Sequence, residues 1–345
     1  MSRRRMRKLS TQLEQVKREA PAGALPLVAL WHKARVNRAA VSRLAVYPSL
    51  VVIFGVFALA LRNRGFLSTL NLLNIASQAA PIAIMAVGAV FVLSAGEIDL
   101  SIGAVVAVSA LSTASVLQDH GLLLGLAAGA AVGIGTGFLS GALVTRLRVP
   151  SFLVTLAMME IATGVARRIH DLQSVSVTNT AFLRWFGSGQ IGQLSGVVVW
   201  AAAVAAIGAV VYRHTRFGAH VRAVGDSRRA AASGGINVAR VRIAVFTISG
   251  ATAALAGILY AGRIQAAQYT LGTNDLFTVI AAVIIGGTSL FGGSGSVLGA
   301  VVGALLLATL NNGLILFGLN VAEQTIALGL IILAAVIIGL REQGE

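Results

Sequence analysis

Ten long apolar runs constrain the fold of this chain more than any other feature of its sequence. They cover residues 44–61, 72–93, 102–118, 121–145, 150–168, 194–212, 241–261, 277–291, 296–317 and 321–340. About 20 apolar residues in a helix span the hydrocarbon core of a bilayer. Only 11% of the 345 residues are charged, against roughly 25% in soluble domains. We therefore predict an all-α polytopic membrane protein with about ten transmembrane helices, although the short run 277–291 need not cross fully.

The basic residues predict how these helices are oriented. Lys and Arg number 27 against 12 Asp and Glu, and 11 of the 27 precede residue 44, while seven lie between 213 and 242. If the amino terminus is cytosolic and the runs alternate, 21 of the 27 lie inside, as the positive-inside rule requires. We therefore predict a basic cytosolic tail at 1–43, a membrane domain at 44–340 and a cytosolic tail at 341–345. This distribution argues against a nucleic-acid partner.

Two glycine-containing breaks interrupt the apolar runs on the predicted cytosolic side, at 94–103 and 286–296. Backbone groups freed at membrane depth must be satisfied by protein or by a water-filled cavity, and broken helices in both halves of a chain are typical of transporters. Tight turns at the cytosolic surface explain the same residues, so both interpretations stay open.

A stripe of glycines recurs every fourth residue through the fourth apolar run. Its members are Gly125, Gly129, Gly133, Gly137 and Gly141. Small residues at this spacing let neighbouring helix backbones approach closely. The stripe predicts helix packing first, and sliding between conformations second.

The cytosolic loop 213–242 contains a predicted short helix. Asp226 or Ser227 is its N-cap, residues 228–233 form its body, and the glycines at 234–235 end it. Such a helix can serve as a docking point for a cytosolic partner. The seven arginines of the loop can equally bind anionic lipid headgroups, and composition does not choose between the two.

Polar residues in or beside the apolar runs are candidates for a transport pathway or gate. They are Glu97, Asp99, Ser101, Thr155, Glu160, Asn311 and Asn312. An ionised side chain at the centre of a membrane helix costs about 2.5–3.5 kcal/mol on insertion scales. Asp99 is expected either to cap the third helix or to contact substrate, and Glu97 to face the cytosolic vestibule. Glu160 either lines a water-filled path or pairs with Arg167 or Arg168.

Four segments of the chain match the motifs of one family in the order in which that family has them. Residues 95–103 (AGEIDLSIG) resemble (A/G)-G-x-I-D-L-S-V-G, and residues 150–159 (PSFLVTLAMM) resemble P-x-F-(I/L)-V-T-L-x-M-M. Residues 223–238 resemble its coupling segment, and residues 281–312 resemble its signature near the carboxyl end. The family comprises the permease subunits of bacterial ABC importers for monosaccharides, the ribose, xylose, arabinose and galactose group.

This resemblance implies a ten-helix membrane domain like that of the vitamin B12 importer, in the bacterial inner (cytoplasmic) membrane. The implied cargo is a pentose or hexose. The implied partners are a second permease copy or close relative, two ATP-binding cassettes, an extracytoplasmic sugar-binding protein and the lipid bilayer. The residues implied to couple to the cassettes are Gly225, Asp226, Ser227, Arg228, Arg229, Ala230, Ala231, Gly235, Ile236 and Asn237.

The coupling segment departs from the family in its charges. Ser227 stands where Asn is usual, and Arg228 and Arg229 occupy positions that are frequently acidic or polar. The charge of the matching cassette groove therefore stays open.

The motifs of an enzyme are missing from the sequence. It has no G-x-x-x-x-G-K-(S/T) phosphate loop, so ATP and Mg are expected on a separate cassette and no cofactor on this chain. It has no cysteine and no histidine spacing typical of a metal site, so we predict no metal and no catalytic residue. Three alternatives stay open: the same machinery for a branched-chain amino acid, nucleoside or autoinducer-like furanose; an ion-coupled secondary transporter using Glu160 and Asp99; and, disfavoured, an integral-membrane enzyme.

Overall fold

The computed structural model describes residues 46–187, 189–192 and 194–344, except for the side chains of 191, 332 and 334–344. The predicted amino-terminal tail, 1–43, lies outside the described residues.

Thirteen α-helices make up most of the described chain. They are α1 Val46–Ala60, α2 Thr69–Ser94, α3 Ile102–His120, α4 Leu122–Arg146, α5 Ser151–Ile169, α6 Thr180–Phe186, α7 Gly196–His214, α8 Arg216–Asp226, α9 Arg228–Ser233, α10 Val238–Ile264, α11 Asp275–Ile285, α12 Val297–Phe317 and α13 Val321–Gly344. A 3-10 turn at Arg62–Arg64 follows α1.

Four two-residue strands lie in the longer connections. They are β1 Val175–Ser176, β2 Gln190–Ile191, β3 Leu194–Ser195 and β4 Ala266–Ala267. β1 pairs antiparallel with β4, and β2 pairs antiparallel with β3. The first pair ties the connection after α5 to the connection after α10.

Each of the ten predicted apolar runs contains one helix. Among the described residues, α2, α3, α4, α7, α10 and α12 are long and apolar enough to cross a membrane. Apolar helices of shorter length are α1, α11 and the first part of α13, Val321–Ile331. The remaining run holds α5, which has 19 residues and carries Glu160. The chain is therefore an α-helical polytopic membrane protein.

The predicted run 277–291 is wrong at its carboxyl end, because α11 ends at Ile285. The next two residues are glycines, and Gly287 has a φ of 85°, which an L side chain adopts only with strain. Eleven residues of helix extend about 16 Å, roughly half of a hydrocarbon core. By its length, α11 does not cross a bilayer on its own.

The non-helical part of the first break, residues 95–101, packs beside the middle of α10, with Ile98 exposed and Gly96 and Leu100 half-buried. Asp99 accepts a hydrogen bond from Ser249, which lies about 16 Å along α10 from its first residue. Glu97, Asp99 and Ser101 are all buried. These three side chains are thus enclosed by protein, and the choice between a broken membrane helix and a tight turn at the cytosolic surface stays a prediction.

The five glycines of the α4 stripe are all buried, whereas most other α4 side chains are half-buried or exposed. Gly129 packs on Thr113 of α3, and Gly133 and Gly137 pack on the α10 backbone at Gly250 and Phe246. At each of these glycines a Cβ would overlap an atom of the neighbouring helix. The stripe lets α4 lie in direct backbone contact with α10.

Candidate functional site

The predicted cytosolic loop 213–242 contains two short helices, α8 and α9. Thr215 caps α8 by accepting from the Gly218 N–H, and Ser227 caps α9 by accepting from the Ala230 N–H at 3.3 Å. α9 spans Arg228–Ser233, as predicted, and Ser227 rather than Asp226 is its cap. Gly235 follows with a φ of 83°. Asn237 then caps α10 by accepting from the Arg240 N–H.

The prediction of a loop over 213–242 is wrong on either side of α9. α7 runs to His214 and α10 begins at Val238, so both enter this range. α8 was missed because its average hydrophobicity is low. Its signal was the apolar spacing of Phe217, Val221 and Val224, which places three side chains on one helical face.

The predicted coupling residues divide by exposure. Ala231 is buried in the core, and Gly225 and Ile236 are half-buried. The remaining residues are exposed: Asp226, Ser227, Arg228, Arg229, Ala230, Gly235 and Asn237. α9 therefore has one side in the protein and one side available to a partner.

Both breaks meet the end of α8 at Gly225. The Gly293 N–H donates to the Ser94 carbonyl at 3.0 Å, which joins the second break to the end of α2. Gly225 lies directly against both groups, so a Cβ at this position would overlap the Ser94 oxygen. Tyr212 of α7 donates from its hydroxyl to Ser94 Oγ at 2.8 Å. The sequence did not predict this convergence of three distant segments.

Glu97 is buried in an ion-pair cluster and does not face a vestibule, contrary to expectation. Its side chain is 1% exposed, and its Oε1 accepts from Arg228 Nη2 at 2.7 Å and from Arg242 Nε at 2.5 Å. Arg228 also donates to the Gly96 carbonyl at 3.1 Å. The cluster links the first break to α9 and to the base of α10. The positive charges of the two arginines compensate the cost of removing the Glu97 carboxylate from water.

Asp99 is satisfied entirely within the protein. Its Oδ1 accepts from the Ser101 N–H at 2.9 Å and from the Ser101 hydroxyl at 2.6 Å, and its Oδ2 accepts from the Ser249 hydroxyl at 2.7 Å. The prediction that Asp99 caps the third helix is wrong, because Ser101 is the N-cap residue of α3 and Asp99 bonds to no N–H in the first turn of that helix. Asp99 instead orders the residue before α3 by accepting from the Ser101 N–H. Asp99 also lines a narrow apolar cavity between α2, α3 and α11 with Val92, Ile98 and Val279.

Thr155 connects the same break to α5. Its hydroxyl shares one proton between the Ser151 carbonyl of its own helix, at 3.0 Å, and the Ile98 carbonyl, at 3.2 Å. The Ile98 N–H donates to Ser151 Oγ at 3.1 Å. Both hydroxyl residues lie in the first two turns of α5 and are buried. The structure thus brings four predicted residues together beside the coupling segment: Glu97, Asp99, Ser101 and Thr155.

Three other candidates lie apart from this cluster. Glu160 is exposed on α5, on the opposite face from Thr155 and Ala162. Within the described part of the chain it makes no ion pair, and Arg168, one of its expected partners, pairs with Asp171 at 2.8 Å. Asn312 is buried and Asn311 is half-buried on α12.

Sequence reasoning missed Arg242, Ser249 and Ser151. Each lies inside or beside an apolar run, where a single polar residue indicates that a partner exists without indicating which one. In the described residues, no three His, Asp or Glu side chains come close enough together to hold a metal ion.

Comparison with known proteins places the sequence of this chain among transport permeases. A family model described as "Branched-chain amino acid transport system / permease component" matches residues 71–340. The chain is 37% identical over 288 residues to the ribose import permease protein of Escherichia coli (strain K12), covering 81% of this chain and 89% of that one. It is 34% identical over 306 residues to the fructose import permease protein of Rhizobium meliloti, covering 85% and 84%.

A third relative is the galactofuranose transporter permease protein of Escherichia coli (strain K12). It is 35% identical over 278 residues, which cover 80% of each chain. No solved structure matches the chain significantly.

Proposed function

Because this chain belongs to the family of permease components of branched-chain amino acid transport systems, we propose that it carries a small sugar across the membrane as the permease subunit of an ATP-driven importer. A pentose or hexose is the favoured cargo. The family description names amino acids, but relatives that match over at least 80% of the chain are named for ribose, fructose and galactofuranose. These three share several hydroxyl groups and no ionised group.

The observation that carries the coupling role is the position of α9. Its outer side exposes Arg229 and Ala230, while Arg228 on its first turn is bonded to the buried Glu97. A cassette that binds the exposed side of α9 would therefore act directly on the first break at 95–101. ATP and Mg are assigned to the two cassettes, and this chain supplies residues 225–237 as their docking segment.

The remaining assembly follows from the family and from the charges. We assign the chain ten transmembrane segments of the vitamin B12 importer type in the bacterial inner membrane, with both termini in the cytosol. This orientation puts 21 of the 27 basic residues inside. An extracytoplasmic sugar-binding protein delivers the cargo on the opposite side. In this assignment the short α11 crosses only together with the non-helical residues that flank it.

The exposed face of α5 supports a second permease copy. Glu160 lies on this face beside Ala157 and Gly164, and all three are exposed in the single chain. A carboxylate facing lipid at the centre of a helix is unfavourable. We therefore assign this face to a water-filled path between two permease copies, with Glu160 as the pathway residue. The buried side of α5, away from the path, is supported by Glu97, Asp99, Ser101 and Thr155. On α12, Asn311 and Asn312 remain candidates for the pathway.

Crosslinking tests the docking role, and the lack of native cysteine makes each introduced thiol unique. We expect Ala230→Cys to crosslink to a cysteine in the groove of a co-expressed cassette, with a yield that changes with nucleotide. Leu172→Cys, exposed on the predicted outer side, is the matched control and should give no crosslink. Absence of a crosslink from residues 229 and 230 in every nucleotide state would count against docking.

Uptake measurements test the energy source. Radiolabelled ribose, fructose and galactofuranose should accumulate only with ATP, the cassettes and the binding protein present. Uptake that survives ATP depletion but collapses with an ionophore would instead support the ion-coupled transporter, with Glu160 and Asp99 as carriers of the ion.

A further inference from the structure

We infer that Glu97 is a positioning residue that passes the movement of α9 to α5, through the backbone of residues 96–98. The inference rests on the proposed function, because it requires cassettes that move α9. It changes the expected role of Glu97 from a gate residue in the pathway to a buried link between the docking helix and the helix that carries Glu160.

The first step of the link consists of the hydrogen bonds between α9 and the first break. Arg228 is the first residue of α9, and it donates to both the Gly96 carbonyl and the Glu97 carboxylate. Its side chain is 49% exposed, so it lies at the border between the docking surface and the interior. A displacement of this six-residue helix therefore moves Gly96 and Glu97, or breaks two hydrogen bonds.

In the second step, the Glu97 carboxylate stays buried and paired when Arg228 moves. This carboxylate is buried, and the same oxygen is held by Arg242, which is only 12% exposed on α10. A buried carboxylate that loses every partner is strongly destabilising. Arg242 therefore keeps the charge compensated while the contact with Arg228 changes, so the segment can occupy more than one position without an unpaired buried charge.

The third step carries the displacement to α5. Ile98 follows Glu97 directly, and its backbone N–H and carbonyl bond to Ser151 and Thr155 of α5. Adjacent Cα atoms are about 3.8 Å apart along a stiff peptide. The link between α9 and α5 therefore passes through main chain, with a long side chain only at Arg228.

Asp99 directs the displacement toward α5. Its three hydrogen bonds, two from Ser101 and one from Ser249, hold the far end of the break against α10. With this end held, movement at residues 96–98 acts on the first turns of α5 more than on α3. The face of α5 opposite Thr155 is the exposed face with Glu160.

A spin label on α5 tests the inference without knowledge of the cargo. Gly164 is helical, and a Cβ there meets no atom within 4 Å, so Gly164→Cys is a suitable site for a nitroxide. In the assembled complex of two permease copies and two cassettes, the distance between the two labels should change when ATP is added. The change should be lost in Glu97→Gln and in Thr155→Val, and kept in Thr145→Val, whose hydroxyl bonds only within α4.

Transport in proteoliposomes gives the second readout, with ribose as the probe. In Glu97→Gln, uptake should fall about tenfold, the effect of weakening a hydrogen bond to a charged group. In Thr155→Val, which loses a bond to a neutral carbonyl, uptake should fall about fivefold. ATP hydrolysis should stay near the parental rate in both. A merely structural role would lower both rates together, and that result would overturn the inference.

Two label results would also overturn it. One is a distance change in Glu97→Gln equal to that of the parent, and the other is a parent in which α5 does not respond to ATP. Absence of ribose uptake by a parent whose label does respond would contradict the proposed cargo and leave the link supported. Thr155→Val keeps the test decisive if Glu97→Gln does not assemble.

Discussion

The side-chain amides of Asn71 and Asn312 donate to each other, with Nδ2 to Oδ1 distances of 3.0 and 2.9 Å. Asn71 lies in the first turn of α2, and Asn312 lies near the end of α12, 241 residues later. Asn71 also donates to the Phe66 carbonyl at 2.9 Å. A buried amide that is paired in this way joins two helices, and the contact uses one N–H and one oxygen lone pair of the Asn312 amide.

Replacing Asn312 with Ala should lower the stability of the membrane domain by about 1 kcal/mol, the usual range for an interhelical hydrogen bond. Asn71→Ala should cost a similar amount, and the double variant should cost less than the sum of the two. Thermal unfolding in detergent measures all three. Asn311→Ala is the control, since no side-chain hydrogen bond of Asn311 is found among the described residues. Loss of ribose uptake by a fully stable Asn312→Ala would favour a pathway role.

Gly225→Ala should disrupt the junction of α8 with the two breaks, because the new Cβ would overlap the Ser94 carbonyl oxygen. Forcing backbone apart in a packed site costs about 1–3 kcal/mol. We expect loss of uptake and weaker co-purification with the cassettes. Gly234→Ala is the matched control, since its Cβ would meet the Ala231 oxygen at an ordinary 3.4 Å. Equal behaviour of the two variants would show that the close approach is unimportant.

Ser227→Ala should loosen α9 by removing its N-cap. The cost is about 1 kcal/mol, which corresponds to roughly five-fold faster exchange of the Ala230 amide. Hydrogen exchange followed by mass spectrometry can measure this rate. Ser227→Asn should restore slow exchange, because Asn is an equally good cap. Unchanged exchange in Ser227→Ala would mean that contacts with the rest of the protein, such as the burial of Ala231, hold α9 instead.

Gly137→Ala should separate α4 from α10, because its Cβ would overlap the Phe246 carbonyl. Gly135 lies on the opposite face of α4, where a Cβ meets nothing within 4 Å. Gly135→Ala should therefore be neutral, or stabilising by up to about 1 kcal/mol through helix propensity. The unfolding temperatures of the two variants should shift in opposite directions or by clearly different amounts. A similar small shift for both would contradict the packing role of the stripe.

Local features of the coupling segment were predictable because their signals lie within a few residues. Ser227, followed by six helix-compatible residues and two glycines, predicted α9 with its observed bounds. α11 was predicted too long because Leu290 and Phe291 continue the apolar composition beyond Gly286. There the backbone conformation of the glycines, rather than hydrophobicity, decides where the helix ends.

The sequence alone determined the ten apolar helical segments and the two breaks, because length and apolarity act locally, and its charge distribution predicts one orientation. Only the tertiary structure decided which polar groups meet. Glu97 pairs with Arg228 and Arg242, 131 and 145 residues away, and Asn71 pairs with Asn312. Periodicity shows which face of a helix is buried, but the partner of a buried polar group depends on how distant helices pack. The packing at Gly225 and along the α4 stripe brings these groups within hydrogen-bonding distance.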